Sequence, residues 1–345
     1  MSLLIFLGCL ILILDRVFKV KRYHIALLIG FLFGLFFLIH LVFSNDHILV
    51  KLTGGSLRAI MFIGISVFLV GLYILFLNRI KNFRGEMPAE AQKVSSFKPE
   101  ELERYARHIV LKEIGGSGQK KLKNSRILIV GAGGLGSPVM QYLGACGVGV
   151  IGIIDSDVVD NSNLQRQVIY PDKSIGENKV FAAAAAIKAQ NPFIEVLTFN
   201  RVFNEDIAED LISEFDLIMD GTDNSKSRYL INKVCVRLNK PLVSGAISQW
   251  EGQVMVYDSL PESPCYECVF PSTSSVSGNQ TCAESGVVGA LPGVIGSMMA
   301  IEAIKLITNA GEILRSRLFI YDGLYAETRI ISVRKDKQCR VCSDN

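Results

Sequence analysis

Gly131-Ala132-Gly133-Gly134-Leu135-Gly136 follows the apolar run Arg126–Val130 and opens a helix-forming stretch that reaches about Cys146. Glycines at 131, 133, 134 and 136 let the backbone approach a phosphate closely. The start of the helix supplies unpaired N–H groups and the positive end of a dipole. Asp155 ends the next apolar run, Val150–Ile154, 21 residues after Gly134. A carboxylate at that place can bond ribose hydroxyls. By itself the pattern reads as a nucleotide site and does not separate NAD from ATP. A tight packing turn is the plainer alternative.

The next stretch narrows the chemistry. Asp155 and Asp157 precede Ser162-Asn163-Leu164-Gln165-Arg166-Gln167, and Gly176-Glu177-Asn178-Lys179 follows. Two cations, Arg166 and Lys179, thus lie just past the ribose-binding strand. A dinucleotide dehydrogenase has little use for them there. An enzyme acting on a triphosphate does, because charge develops on the phosphates during transfer. Asp220-Gly221-Thr222-Asp223-Asn224 follows another short strand, Asp216–Met219. Asp223 then stands at the carboxyl end of the sheet, where Mg²⁺ would take one carboxylate and phosphate oxygens. Asp223 or Asn224 could equally cap the helix that follows.

Eight cysteines are present, and Cys265-x-x-Cys268 and Cys339-x-x-Cys342 form two pairs with 70 residues between them. Four thiolates suit a closed, structural Zn²⁺ site. Zinc there would staple the C-terminal end onto the domain. Cys282 lies in a loop-like stretch, Ser272–Ser285. It reads either as a nucleophilic thiol that takes an acyl group or as an idle loop cysteine. Cys146 and Cys235 fall in helical stretches and read as core.

These residues need a scaffold of alternating elements. Strands at Arg126–Val130, Val150–Ile154 and Asp216–Met219, and one starting at Leu242, alternate with helices at Lys179–Gln190 and Ser225–Leu238. The alternation predicts an α/β fold with a doubly wound, mostly parallel Rossmann-like sheet. Gln253–Tyr257, Arg317–Tyr321 and Arg329–Val333 read as antiparallel strands extending it, with a packed helix over Leu291–Leu306. Pro99, followed by Glu100 and Glu101, opens the first helix of the domain.

The 345 residues are too apolar as a whole for an ordinary soluble enzyme, and the excess sits in the first 80. Ile25–Phe43 and Ala59–Leu77 are each 19 residues without a charge, long enough to span a bilayer, and Met1–Leu14 is a possible third span. Basic residues flank the pair on its outer sides (Arg16, Lys19, Lys21 and Arg22; Arg79, Lys81 and Arg84). The positive-inside rule then predicts a multi-pass protein of the cell (inner) membrane with its catalytic domain cytoplasmic. The expected layout is a membrane region over 1–84, a linker over 85–97 and a catalytic domain over 98–345. Residues 1–86 carry 9 Lys/Arg against 3 Asp/Glu, and from Ala89 onward the ratio is 27 to 30. A mildly acidic globular part argues against nucleic acid as a partner.

Taken together, Arg104-Tyr-x-Arg107, GAGGLG, Asp155-x-Asp157, SNLQRQ, GENK, TDN, the two C-x-x-C pairs and Thr281-Cys282-x-Glu-x-Gly286-Val287 resemble the MoeB/ThiF/HesA group of the ubiquitin-activating enzyme superfamily. The resemblance covers Glu100–Cys342. It implies adenylylation of the C-terminal glycine of a small ubiquitin-like sulfur carrier ending in Gly-Gly, at the expense of ATP. By position it places Gly134 and its neighbours on the phosphates and Asp155 on the ribose. Asn163, Arg166 and Lys179 grip the triphosphate, Asp223 holds Mg²⁺, and Cys282 takes the place of a thiol that some members use for a covalent adduct. Arg107 matches an arginine that reaches the partner subunit's nucleotide, which implies a homodimer. No sulfur-donating domain follows Cys342, so the expected sulfur donor is a separate protein.

Activation of another carboxyl, such as a peptide C-terminus, or of a tRNA base by a membrane-anchored relative is the competing enzyme reading. An NAD-dependent oxidoreductase is opposed by SNLQRQ and GENK. A membrane scaffold built on a dead nucleotide fold is opposed by the presence of every expected polar residue.

Overall fold

The computed structural model describes residues 97–343 apart from 259, 261 and 273–285, together with 38, 39, 41–43, 47, 48 and 50. The chain divides between Lys93 and Val94. The expected spans at 1–14 and 59–77 and the linker at 85–96 lie outside the described residues, as does most of 25–43. Cys282 lies outside them too.

Three short helices open the second unit: α1 (Pro99–Arg104), α2 (Ala106–Ile109) and α3 (Gly115–Asn124). Pro99 sits in the first turn of α1 as expected. The Glu101 side chain accepts from the Lys98 N–H at 2.9 Å, satisfying a donor that the helix start leaves free. The same buried carboxylate accepts from Lys123 Nζ at 2.7 Å, which ties α1 to α3. Tyr105, between α1 and α2, is buried and its hydroxyl accepts from Asn191 Nδ2 at 2.8 Å. These contacts fix the helix that carries Arg107.

The remaining elements run β1 (Arg126–Val130), α4 (Gly136–Ala145), β2 (Val150–Ile154), α5 (Lys179–Gln190), β3 (Glu195–Phe199), α6 (Glu205–Ser213), β4 (Leu217–Asp220), α7 (Ser225–Arg237), β5 (Leu242–Ser248), β6 (Glu251–Tyr257), α8 (Tyr266–Val269), α9 (Leu291–Thr308), β7 (Arg317–Asp322) and β8 (Glu327–Ser332). They form one eight-stranded sheet in the order β3-β2-β1-β4-β5-β6-β7-β8. Strands β3 to β5 in that order are parallel, and β6, β7 and β8 are antiparallel additions. This is the mixed α/β Rossmann-like sheet expected from the alternation. The sequence reading passes directly from α5 to β4 and misses β3 and α6.

Strand β1 shows why the sheet is covered on both faces. Ile127 and Ile129 point into one core with Val139, Met140, Ile187 and Met299. Leu128 and Val130 point into the other with Ile212, Phe215, Ile231 and Val234. An uninterrupted apolar run is what a period of two requires when both faces are buried. Helix α9 packs on α3, α4, β5 and β6. It is long and apolar enough to cross a membrane, yet it serves as a core helix of this domain.

Candidate nucleotide site and cysteine cluster

After β1 the chain goes to β2 on one side of the sheet, and after β4 to β5 on the other. The crevice between the carboxyl ends of β1 and β4 is therefore the topological switch point, where open α/β sheets bind ligands. A cleft of about 420 Å³ opens there. Its walls come from the glycine turn after β1, Asp155 and Asp157 after β2, residues 201–203 after β3, and Gly221–Ser225 after β4.

The glycine turn closes on itself. Gly131 has φ +93°, and a Cβ there would stand 3.0 Å from the Gly221 carbonyl oxygen. At Gly136 a Cβ would lie 2.1 Å from the Gly131 carbonyl oxygen, so only glycine lets α4 start so close to the turn. Gly133 differs. Its backbone is ordinary, and the nearest atom to a Cβ would be Gln167 Nε2 at 3.8 Å. Nothing inside the fold demands glycine at 133, and the residue faces the cleft. That leaves the approach of a ligand as its physical reason.

Asp155 holds this turn in place. Its Oδ2 accepts the Ala132 N–H at 2.7 Å and its Oδ1 accepts the Asp157 N–H at 2.8 Å. The Tyr170 hydroxyl donates to the Ala132 carbonyl at 2.7 Å. Each carboxylate oxygen of Asp155 keeps a lone pair for a ribose hydroxyl, so the expected ribose contact and this structural duty coexist.

The two cations enter from one side. Lys179 is the first residue of α5, its side chain only 6% exposed, with Nζ 2.8 Å from Asp157 Oδ2. Arg166 lines the cleft and donates from Nη1 to the Ser162 carbonyl at 3.1 Å. The rest of that motif is distributed differently. Ser162 and Asn163 belong to a 3₁₀ turn capped by Asp160, Leu164 packs against the core, and exposed Gln165 abuts Gly289. None of these four lines the cleft. Gln167 does, with its side chain buried and Oε1 lacking a hydrogen-bond partner.

Opposite, Asp223 is exposed at the cleft beside Asn224, whose side chain caps α7 by accepting the Ser227 N–H at 2.9 Å. Asn224 thus performs the capping that the sequence left open between the two. Beneath them lies a buried network. Asp220 accepts from the Thr222 hydroxyl at 2.6 Å and the Ser244 hydroxyl at 2.7 Å, and stands 4.0 Å from Arg228. Arg228 also donates to the Thr222 carbonyl. Arg201, Val202, Phe203 and Tyr266 complete the lining. Arg107 is exposed on α2 and does not line this cleft.

The four paired cysteines converge. Cys265 Sγ lies 3.9 Å from Cys268 Sγ and 3.6 Å from Cys339 Sγ, and Cys268 Sγ lies 3.4 Å from Cys342 Sγ. All four sulfurs fall within 4.8 Å of one another. A disulfide needs about 2.05 Å. A tetrahedral Zn²⁺ with bonds of about 2.3 Å puts its sulfurs about 3.8 Å apart. The cluster fits the ion. Burial pushes the Cys265 thiol up to about 11.

The ThiF family model matches residues 105–341. A curated relative from Arabidopsis thaliana, "Adenylyltransferase and sulfurtransferase MOCS3", is 46% identical over 248 residues, covering 72% of this chain and 53% of the relative. The chain spans about half the length of several such relatives. The "Sulfur carrier protein adenylyltransferase" of Thermus thermophilus is 43% identical over 71% of this chain and 92% of its own length. Among solved structures, E. coli MccB with ATP matches with a TM-score of 0.59 at 24% identity, over 66% of this chain and 69% of that one. That likeness is one of fold. The family match spans the glycine turn, both cations, Asp223 and three of the four paired cysteines, and the chain belongs to the ThiF family.

Proposed function

We propose that the protein adenylylates the C-terminal glycine of a small ubiquitin-like sulfur carrier. The carrier carboxylate attacks the α-phosphate of ATP, pyrophosphate leaves, and an acyl-adenylate forms. A sulfur donor protein then supplies either sulfide, which displaces AMP to give the thiocarboxylate directly, or a persulfide, which displaces AMP to give an acyl disulfide that a second thiol cleaves to the thiocarboxylate, the product used in molybdopterin- or thiamin-type sulfur transfer. The observation that carries the reading is the convergence of Arg166 and the nearly buried Lys179 on the glycine turn at the switch point. The Thermus relative, matched over nine tenths of its length, carries the name of this reaction.

In this reading the turn at Gly131–Gly136 cradles phosphate oxygens and Asp155 takes the ribose. Arg166 and Lys179 stabilise the charge that builds as pyrophosphate leaves. Asp223, exposed beside the cleft, supplies the carboxylate for Mg²⁺, the other oxygens coming from the phosphates. Arg107 is exposed and does not line its own cleft, and in a homodimer it reaches the partner's nucleotide. The two uncharged 19-residue runs near the N-terminus anchor the domain to the cytoplasmic face of the membrane.

The test is ATP–pyrophosphate exchange by the full chain, with and without carriers ending in Gly-Gly. Exchange should require both carrier and Mg²⁺ and disappear in Arg166→Ala. Failure with every carrier, despite ATP binding, would transfer the reading to another carboxyl substrate. A second prediction separates ligand from fold at the glycine turn. Gly133→Ala should keep its stability within about 0.5 kcal/mol, yet lose about 10²-fold in exchange because the phosphates are displaced. Gly136→Ala should instead lose more than about 3 kcal/mol in denaturant unfolding, since its methyl meets a backbone oxygen that cannot yield.

A further inference from the structure

Helix α7 runs from the nucleotide cleft to the cysteine cluster, and one stripe of it touches both. Asn224 caps its start in the cleft. Arg228 lines the cleft one turn on. Asn232 follows at the next turn, fully buried. Val236, one turn further, packs on the cysteines. Twelve residues of helix carry this stripe over about 18 Å.

Asn232 is the unusual member. Its Oδ1 accepts the Tyr266 backbone N–H at 2.9 Å, which fixes which end of the amide is which. Its Nδ2 is then a buried donor without a hydrogen-bond partner. An orphaned amide N–H costs about 1–3 kcal/mol, so a buried one calls for an acceptor that arrives with something else. The neighbouring group is Cys265, adjacent in sequence to the Tyr266 that Asn232 already holds. The Asn232 side chain lies beside the Cys265 sulfur. Outer-sphere N–H donors to metal-bound ligands tune a metal centre from such a position.

Tyr266 closes the loop back to the cleft. It follows Cys265 as the first residue of α8 and lines the cleft. Its ring is wedged among Tyr229, Tyr257 and Phe270 at centroid distances of 5.4, 5.8 and 5.0 Å. Its hydroxyl meets Arg228, the residue whose guanidinium holds the Thr222 carbonyl next to Asp223.

We propose that Asn232 is an outer-sphere residue of the four-cysteine metal centre, donating through Nδ2 to the Cys265 thiolate, and that Asn232, Tyr266 and Arg228 couple metal binding to nucleotide binding. The coupling half rests on the reading of the cleft as an ATP site. The metal half does not. None of the three need touch ATP or the metal; each acts through the groups it holds.

The experiment compares the full chain with Asn232→Ala and Val236→Ala. The valine touches the same cysteines but offers no side-chain donor, so its variant reports loosened packing alone. In the cobalt-substituted proteins the thiolate-to-metal charge-transfer band should move to longer wavelength in Asn232→Ala only, because the lone pair loses its hydrogen bond. Zinc affinity by chelator competition should fall about 10- to 100-fold in Asn232→Ala, and less in Val236→Ala. Saturating Mg²⁺–ATP should tighten zinc binding by the wild type about fivefold or more in chelator competition, by reciprocity, and not by Asn232→Ala. A cobalt band that stays in place in Asn232→Ala overturns the assignment of Asn232. Zinc affinity unchanged by bound ATP overturns the coupling. No ATP binding to the zinc-loaded wild type overturns the nucleotide reading, and the cobalt result then stands or falls by itself.

Discussion

Lys179→Ala should lower carrier-dependent ATP–pyrophosphate exchange by about 10²–10³-fold while leaving the fold intact. The argument rests on how the amine is held. A lysine on an exposed helix start is a mobile charge that water screens, and deleting it costs little. Lys179 is nearly buried, its backbone N–H donates to the Asp157 carbonyl and its Nζ stands 2.8 Å from the Asp157 carboxylate. The charge is therefore aimed before any ligand arrives, and no reorganisation is needed as negative charge grows on the departing phosphates. Asp157 is largely exposed, at 65%, so water shares its neutralising role and most of the lysine's field remains available to the cleft. Two controls sharpen the expectation. Lys188, exposed near the other end of the same helix, should tolerate alanine without loss. Lys179→Arg should recover only part of the rate, because a planar fork does not reproduce a point charge in a tight site. Equal losses in Lys188→Ala and Lys179→Ala would show that bulk charge, not placement, matters.

Much of this site is legible in the sequence because its parts have distinct local signatures. The glycine turn announces itself between an apolar run and a helix, and Asp155 by ending the next run. The cysteine pairs are found by spacing alone, although only the fold brings Cys265 and Cys339 to 3.6 Å. What escapes has a physical reason in each case. Strand β3, Glu195–Phe199, lies at the sheet edge with four half-buried residues and one exposed, so it lacks the dense apolar signature of β1. Missing it also hides Arg201, Val202 and Phe203, which enter the cleft only because they follow that strand. Arg228 looks like one more solvated helix charge, and nothing in its spacing tells that Asp220 and the Thr222 carbonyl await it inside. Within SNLQRQ the sequence treats neighbouring residues alike. The 3₁₀ turn instead sends Leu164 to the core and Arg166 and Gln167 to the cleft.

Cys339→Ser should abolish stoichiometric zinc and lower the thermal midpoint on the order of 10 °C, with the C-terminal segment becoming the first site of proteolysis. The reason lies in how little else holds that segment. All six residues of β8 are exposed, and among the described strands β8 pairs with β7 alone, at the edge of the sheet, with one ion pair from Arg329 to Glu251 at 3.6 Å. Beyond it, the Val333 N–H donates to the Ser316 carbonyl, and then Cys339 and Ser343 donate to carbonyls of the same segment. The Asp336 N–H donates at 3.5 Å to Cys268 Sγ, a prospective metal ligand. With the ion in place, four thiolates clamp this tail to α8. Without it, the tail loses the bonds that join Cys339 and Cys342 to Cys265 and Cys268. The dependence on pH has a fixed sign. Protons compete with zinc for thiolates, so the metal's contribution should be full at neutral pH and fade on acidification. A strong chelator should reproduce the Cys339→Ser phenotype in the wild type, whereas dithiothreitol should not, since sulfurs 3.4–3.9 Å apart are not joined as disulfides. Loss of stability with reductant and none with chelator would assign the four cysteines to disulfide bonding. The damage should also reach the cleft. Tyr266 sits between Cys265 and the nucleotide lining, so loss of the clamp should weaken ATP binding even though none of these four cysteines lines the cleft.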